Sequence, residues 1–395
     1  MYFFSALDPN FRVKGSRDPL GFQSIWSRKG RKVIAHLSTV SQDLTDFMIL
    51  SYATFFFQSK DDRQSRDSRF FVNFFLKFEQ ACSFARMLYH GERSFNGGNF
   101  VSSNIEDRKK SNVFSCSLSP RDTILSNQRA YGIYGKYIRP FRDIGITGDK
   151  SFSEIMEEAL QKTDRKHLMA IIERLIGEKE VKLSGNDLEI IAKLIGRPTE
   201  GEKELFKKYI LTVPDRDHLQ NNLFQVLKNS NITDAEYNLY SFIHAVTNDS
   251  DAITELRNAL KEIENTEKVL YPLNQGFAYM LNSSFWKNKD IIKDNVLDGI
   301  KSVAEKDFLQ EDDLNNLLEI FTLDKKQKIG RIVERNKKIC ERRGYRAWIE
   351  KENGGYRVLY GENAKNIDSI DYETGFEYPY FIPTYVSLFN QIERN

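Results

Sequence analysis

The sequence predicts an α+β protein that is mainly α: a mixed N-terminal domain, a helical middle domain, and a C-terminal helix followed by a β-hairpin. Three observations predict this. Apolar residues recur at three- and four-residue spacing along most of the chain, as helices with one buried face require. Helix-start patterns recur from residue 150 onward. Near the C-terminus, a long charged helical stretch is followed by Asn353-Gly354-Gly355, a strong hairpin turn signal.

Charge sets the domain boundaries. Residues 1–150 carry 23 Lys/Arg against 14 Asp/Glu, residues 151–320 carry 21 against 31, and residues 321–395 carry 14 against 11. The net charge of +2 therefore hides a basic–acidic–basic pattern, with polyanions as partners for the ends and a basic surface for the middle. The blocks are read as a mixed α/β basic domain (1–150), an acidic helical domain (151–320), and a basic helix, β-hairpin and aromatic tail (321–395).

In order, Phe22–Trp26 alternates, Ser27–Gly30 is turn-like and Lys32–Leu37 follows, which predicts a β-hairpin with Arg28, Lys29, Arg31 and Lys32 at its tip. Ser41 is placed to cap a helix running to about Gln58, with the apolar run Phe47–Phe57 buried. Asp61–Arg69 reads as a loop. A helix from about Arg69 to Tyr89 carries Phe71, Phe74, Phe75, Phe78, Cys82 and Ala85 as a core-facing stripe. Arg93–Asn112, rich in Gly, Asn and Ser, reads as a loop. Ser119-Pro120 predicts a helix start, with Pro140 and Gly145–Gly148 ending the block. Then Ser151–Glu154, Thr199–Glu202 and Thr233–Glu236 match capping boxes, and amphipathic helices of about 10–18 residues follow one another without a fixed repeat. The tail from Asp368 is acidic, then aromatic (Tyr378, Tyr380, Phe381, Tyr385, Phe389), and is expected to dock onto a core.

The clearest functional candidate is Lys325–Arg346. Ten cations (Lys325, Lys326, Lys328, Arg331, Arg335, Lys337, Lys338, Arg342, Arg343, Arg346) stand against Glu334 and Glu341, while Ile329, Ile332, Val333, Ile339 and Cys340 form the stripe to be buried. A basic helix followed by a two-stranded hairpin resembles the recognition helix and wing of winged-helix domains, which lie along phosphates or enter a major groove. The bland alternative is a solvated helix packed on acidic neighbours. A second basic surface would join Arg12, Lys14 and Arg17 to Arg28, Lys29, Arg31 and Lys32, with Phe11, Phe22 and Trp26 among them as stacking platforms or as core.

Catalytic templates find no match. Gly145–Ser151 lacks the four-residue gap of a phosphate loop, and the five histidines form no metal or nucleophile motif. No catalytic residue, metal ligand or cofactor is assigned. Glu79, inside the Phe-rich helix beside Gln80 and Arg86, is either a site carboxylate or a structural one. Three scattered cysteines, Cys82, Cys116 and Cys340, fit a reducing compartment. No segment reads as a signal peptide or a membrane span, so the expected location is the cytoplasm, without membrane association.

Arg12–Phe22, Phe78-Glu79-Gln80, Asn127–Gly135 and Arg343–Trp348 resemble uncharacterised accessory proteins of bacterial antiphage-defence or restriction operons. The likeness covers the N-terminal block and the C-terminal helix–hairpin, and implies a context rather than a chemistry. The expected function is a non-catalytic, nucleic-acid-associated subunit of a multi-protein bacterial complex, with DNA favoured over RNA and an ATPase or nuclease among its protein partners. The alternatives are a metal-dependent nuclease with dispersed carboxylates and a protein-interaction scaffold.

Overall fold

A computed structural model describes residues 18–59, 68–214, 216–230, 232, 238–309 and 311–394. Within them the chain is mainly helical, with five short strands in two small antiparallel sheets. It forms two compact units that are discontinuous in sequence. One holds residues 1–33 and 229–382, the other 34–228 and 383–395.

In the first unit, the hairpin expected near the N-terminus is instead a helix, Gln23–Val33. Its buried residues Ile25, Trp26, Lys29, Gly30 and Val33 fall on one helical face. Asp18 starts it by accepting from the backbone N–H of Phe22 (2.8 Å) and Gln23 (3.1 Å). Gly30, read as a turn residue, serves close packing: a Cβ there would lie 2.7 Å from the Tyr380 carbonyl oxygen. Trp26 stacks on Tyr378 at 5.7 Å, so it is core. The helix packs on the 27-residue helix Thr254–Met280, which is longer than the expected 10–18 residues. The expected C-terminal hairpin is present as β4 (Ile349–Glu352) and β5 (Gly355–Val358), turning at Asn353-Gly354 with Gly354 at φ +82°. A third strand, β3 (Phe285–Lys287), pairs with β5 and was not foreseen, giving the order β3-β5-β4.

In the second unit, the apolar run is buried in the helix Leu44–Gln58, as expected. Its cap is Asp43, which accepts from Thr45 N–H (2.9 Å); Ser41 instead closes a turn with Ser38. The Phe-rich helix Ser68–Ala85 continues as a wider turn, Arg86–His90. Phe74, Phe75, Phe78, Cys82 and Ala85 are buried. The Gly/Asn/Ser-rich stretch is a loop only over residues 93–97; Gly98–Ser111 is helical. Gly98 opens it because a Cβ would collide with the Arg93 carbonyl oxygen at 2.2 Å. Ser119-Pro120 lies in a turn rather than at a helix start. Asn127 caps the short helix Gln128–Tyr131, and Pro140 sits inside the next helix, Ile133–Ile144, which ends at Gly145 (φ +72°).

The Thr199–Glu202 capping box is made, and so is an unforeseen one at Ser184–Asp187. At Ser151 the serine makes no cap bond, because Asp149 takes its N–H (2.8 Å) and hydroxyl (2.6 Å). Strands β1 (Val113–Ser117) and β2 (Glu180–Ser184) pair antiparallel, which corrects the all-helical reading of the middle segment. The readings at Arg12, Lys14, Arg17 and Phe11, most of the Asp61–Arg69 loop and the Thr233–Glu236 pattern lie outside the described residues. The tail docks as expected: Tyr380 and Phe381 are buried in the first unit, Tyr385 and Phe389 in the second. Among the described residues no helix is long and apolar enough to cross a membrane.

Candidate nucleic-acid interface

The basic helix runs Lys325–Arg342. Its start is a capping box: Asp324 accepts from Gln327 N–H (2.8 Å) and Gln327 faces back to Asp324 N–H (3.4 Å). Ile329, Ile332, Val333, Ile339 and Cys340 are buried, as their spacing demands. Asn336 is buried among them and was missed, since one amide in an apolar stripe gives no sequence signal. Its amide donates to the Pro19 carbonyl (2.9 Å), and its oxygen accepts from Trp348 N–H (2.8 Å). One side chain thereby fixes the hairpin to the helix.

The ten cations divide by environment. Lys325 turns inward, donating to the carbonyls of Ile292 (2.9 Å) and Asp294 (2.7 Å) and pairing with Asp298 (2.8 Å). Lys328 donates to the Ile300 carbonyl (3.0 Å). Arg343 clasps Asp18 through its carbonyl (2.6 Å) and carboxylate (3.1 Å). Arg346 pairs bidentately with Glu350 at 2.9 Å. Arg335 donates to the Leu20 carbonyl (2.7 Å), and burial holds its pKa below the usual guanidinium value. Lys338 pairs with Glu334 at 2.9 Å; Arg331–Glu334 (3.7 Å) and Lys337–Glu341 (3.8 Å) are long. Lys326 and Arg342 are exposed and make no ion pair among the described residues.

Three exposed cations and the half-buried Arg335 share one groove. Arg331, Arg335, Lys338 and Arg342 recur at helical spacing and line one groove of about 490 Å³, against Leu317, Ile320 and Leu323. Their span along the axis is about 16 Å. A second groove, about 760 Å³, adjoins the first at Leu323, Arg331 and Glu334, lies against the hairpin and includes Lys337, Arg346, Lys351 and Tyr356.

In the second expected cluster Arg28 and Lys32 are exposed and ion-paired, while the other two cations are engaged within the unit. Lys29 is 1% exposed and pairs with Glu262 and Glu311. Lys32 pairs with Glu262 (2.6 Å), Arg28 pairs with Glu311, and the Arg31 guanidinium lies 3.7 Å over the Phe381 ring. All four sit on a packed helix, not a hairpin tip, and each has a contact within its own unit.

Glu79 is fully buried. It accepts from the Gln128 amide (2.8 Å) and from Ile133 N–H (2.6 Å) at a helix start, and burial pushes its pKa up to about 7. Nearby in sequence, Arg86 binds Asp43 (2.6 Å), Asp46 (2.8 Å) and Glu92 (2.6 Å). Glu202 is buried between the Tyr52 hydroxyl (2.5 Å) and Lys162 (2.9 Å). Asp149, in the glycine-rich Gly145–Ser151 segment, is held below the usual carboxylate range by Lys208 and Ser151. Among the described residues no three His, Cys, Asp or Glu side chains gather as a metal would need. Compared with known proteins, the chain matches no family model, no curated protein and no solved structure.

Proposed function

We propose that this protein is a nucleic-acid-associated subunit that holds a phosphodiester backbone along its basic helix. One observation carries the reading: Arg331, Arg335, Lys338 and Arg342 line a single groove on the outward side of Lys325–Arg342. A 16 Å row of cations matches about five base-pair steps of a duplex strand. Phosphate contacts of this kind position a protein without reading sequence.

The order of elements supports a winged-helix reading of the module. The long helix Thr254–Met280, β3, the helix Asn288–Lys293, the basic helix, β4 and β5 follow one another, with β3 pairing to β5. A winged helix has this succession, its early strand joining the last strand of the wing. Residues 294–324 would then be an insertion before the recognition helix. The resemblance noted at Arg343–Trp348 extends the proposal to a multi-protein bacterial complex, with defence against phage as its setting and an ATPase or nuclease as its partner.

Binding of a fluorescein-labelled 20-base-pair DNA and of the matching single strands of DNA and RNA tests the reading by anisotropy. Arg331→Ala with Lys338→Ala and Arg342→Ala is expected to weaken binding at least tenfold. Arg28→Ala with Lys32→Ala is expected to leave it within twofold. Equal binding by the two variants would place the contact elsewhere and favour the scaffold reading for this helix.

A further inference from the structure

Glu334 stands among the cations of the first groove. It lines that groove together with Arg331, Arg335, Lys338 and Arg342. It lies three residues after Arg331 and four before Lys338, so it neighbours both on the helix surface. Its two carboxylate oxygens divide between them. Oε1 lies 2.9 Å from the Lys338 ammonium and Oε2 lies 3.7 Å from the Arg331 guanidinium. One anion thus bridges two of the three exposed groove cations, as the free oxygens of a phosphate would. Lys338 foremost, and Arg331 with it, hold this carboxyl below the usual carboxylate range.

Helix stability does not account for the arrangement. The helix is already fixed by its capping box at Asp324, its buried apolar stripe and Asn336. An exposed pair of this kind adds little to that. Glu341 supplies the contrast. It lies on the same helix and is equally exposed, but it meets only Lys337, at 3.8 Å, and lines the second groove and not the first.

We infer that Glu334 is a built-in competitor for phosphate in the first groove, occupying Arg331 and Lys338 in the free protein and limiting the affinity of the track. The inference rests on the proposed phosphate track and names the residue that regulates it. Phosphate and Glu334 do not share these cations. A phosphate oxygen placed on either one would come within about 4–6 Å of the carboxylate, where like charges repel. Binding therefore turns the Glu334 side chain out to solvent, which its exposure allows, and breaks both contacts. The hold on the backbone is weaker than the same four cations would give alone.

Anisotropy with the labelled duplex tests this by comparing the wild type, Glu334→Gln and Glu341→Gln. Each substitution keeps the side-chain size and removes one negative charge from the same helix. Glu334→Gln is expected to bind about 3- to 10-fold more tightly at low salt, the scale of one charge at close range near a protein surface. The gain is expected to shrink as salt rises. Glu341→Gln is expected to stay within twofold of the wild type. Equal tightening in both variants overturns the inference, because net charge rather than a local competitor is then at work. No tightening in Glu334→Gln, with the Arg331, Lys338 and Arg342 triple variant still weakened, overturns it and leaves the track standing. If the triple variant binds as the wild type does, the track itself fails and the inference falls with it.

Discussion

Glu79 shows what a single buried side chain decides. Its carboxyl accepts from Gln128 and Ile133 in a space closed by Gly132, where a Cβ would lie 2.5 Å from Oε1. This is a structural carboxylate at a helix start, favoured by the helix dipole and opposed by burial. Its folded pKa, about 7, exceeds its ordinary value of 4.5. The stability tied to it is complete below about pH 4.5 and is lost as pH rises through 7. At about 1.4 kcal/mol per pKa unit the loss is roughly 3 kcal/mol. Glu79→Gln removes the titration, so its unfolding free energy should gain on the wild type by that amount between pH 4.5 and 7. A constant difference across the range, measured by urea unfolding, would contradict the assignment. Phe75 and Phe78 make a simpler case. Both are fully buried in the same helix, so truncation to Ala should cost about 3–5 kcal/mol. Normal stability with lost binding would instead make the stripe an interface.

Among the elements, the basic helix carries the proposed function and Asn336 fixes the hairpin to it. Asn336→Ala leaves the buried Trp348 N–H without a partner, at about 1–3 kcal/mol, and releases the part-buried Pro19 carbonyl. The expected outcome is lost hydrogen-exchange protection at Trp348 and Ile349 with the long helix Thr254–Met280 still protected; uniform loss would mean that the hairpin has no separate attachment. How much was legible in sequence follows from the same elements. The basic helix and hairpin were legible because each is local: an i, i+3, i+4 stripe and an Asn-Gly turn. The helix Gln23–Val33 was not, because Gly30 serves packing against Tyr380 and Lys29 is held by Glu262 and Glu311, more than 200 residues away. β1 and β2 pair across more than 60 residues with five residues each, too little pattern to read beforehand. In the candidate site the groove cations were named, but which of the ten turn inward depends on carbonyls at Asp18, Ile292 and Ile300, and Arg335, though it lines the groove, is tied to the Leu20 carbonyl.

For the whole molecule, near-zero net charge coexists with a localised basic groove, and the acidic residues account for the difference. Many are used within their own unit, as Glu262 and Glu311 are by Arg28, Lys29 and Lys32. Glu79, the one carboxylate singled out in the sequence as a possible site residue, is buried and held by Gln128 and Ile133, and the buried Glu202 is held by Tyr52 and Lys162. Purified protein is therefore expected to leave DNA and RNA intact with Mg²⁺ or Mn²⁺; cleavage lost in Glu79→Gln and retained through repurification would reverse that reading. The claim at the centre is that phosphate is held by the outward cations of Lys325–Arg342. The most direct measurement is the slope of log K against log salt for duplex DNA. The account predicts that Arg331→Ala, Lys338→Ala and Arg342→Ala together make the slope shallower by about 2.7, roughly 0.9 for each lost phosphate contact. An unchanged slope in a folded triple variant would contradict it.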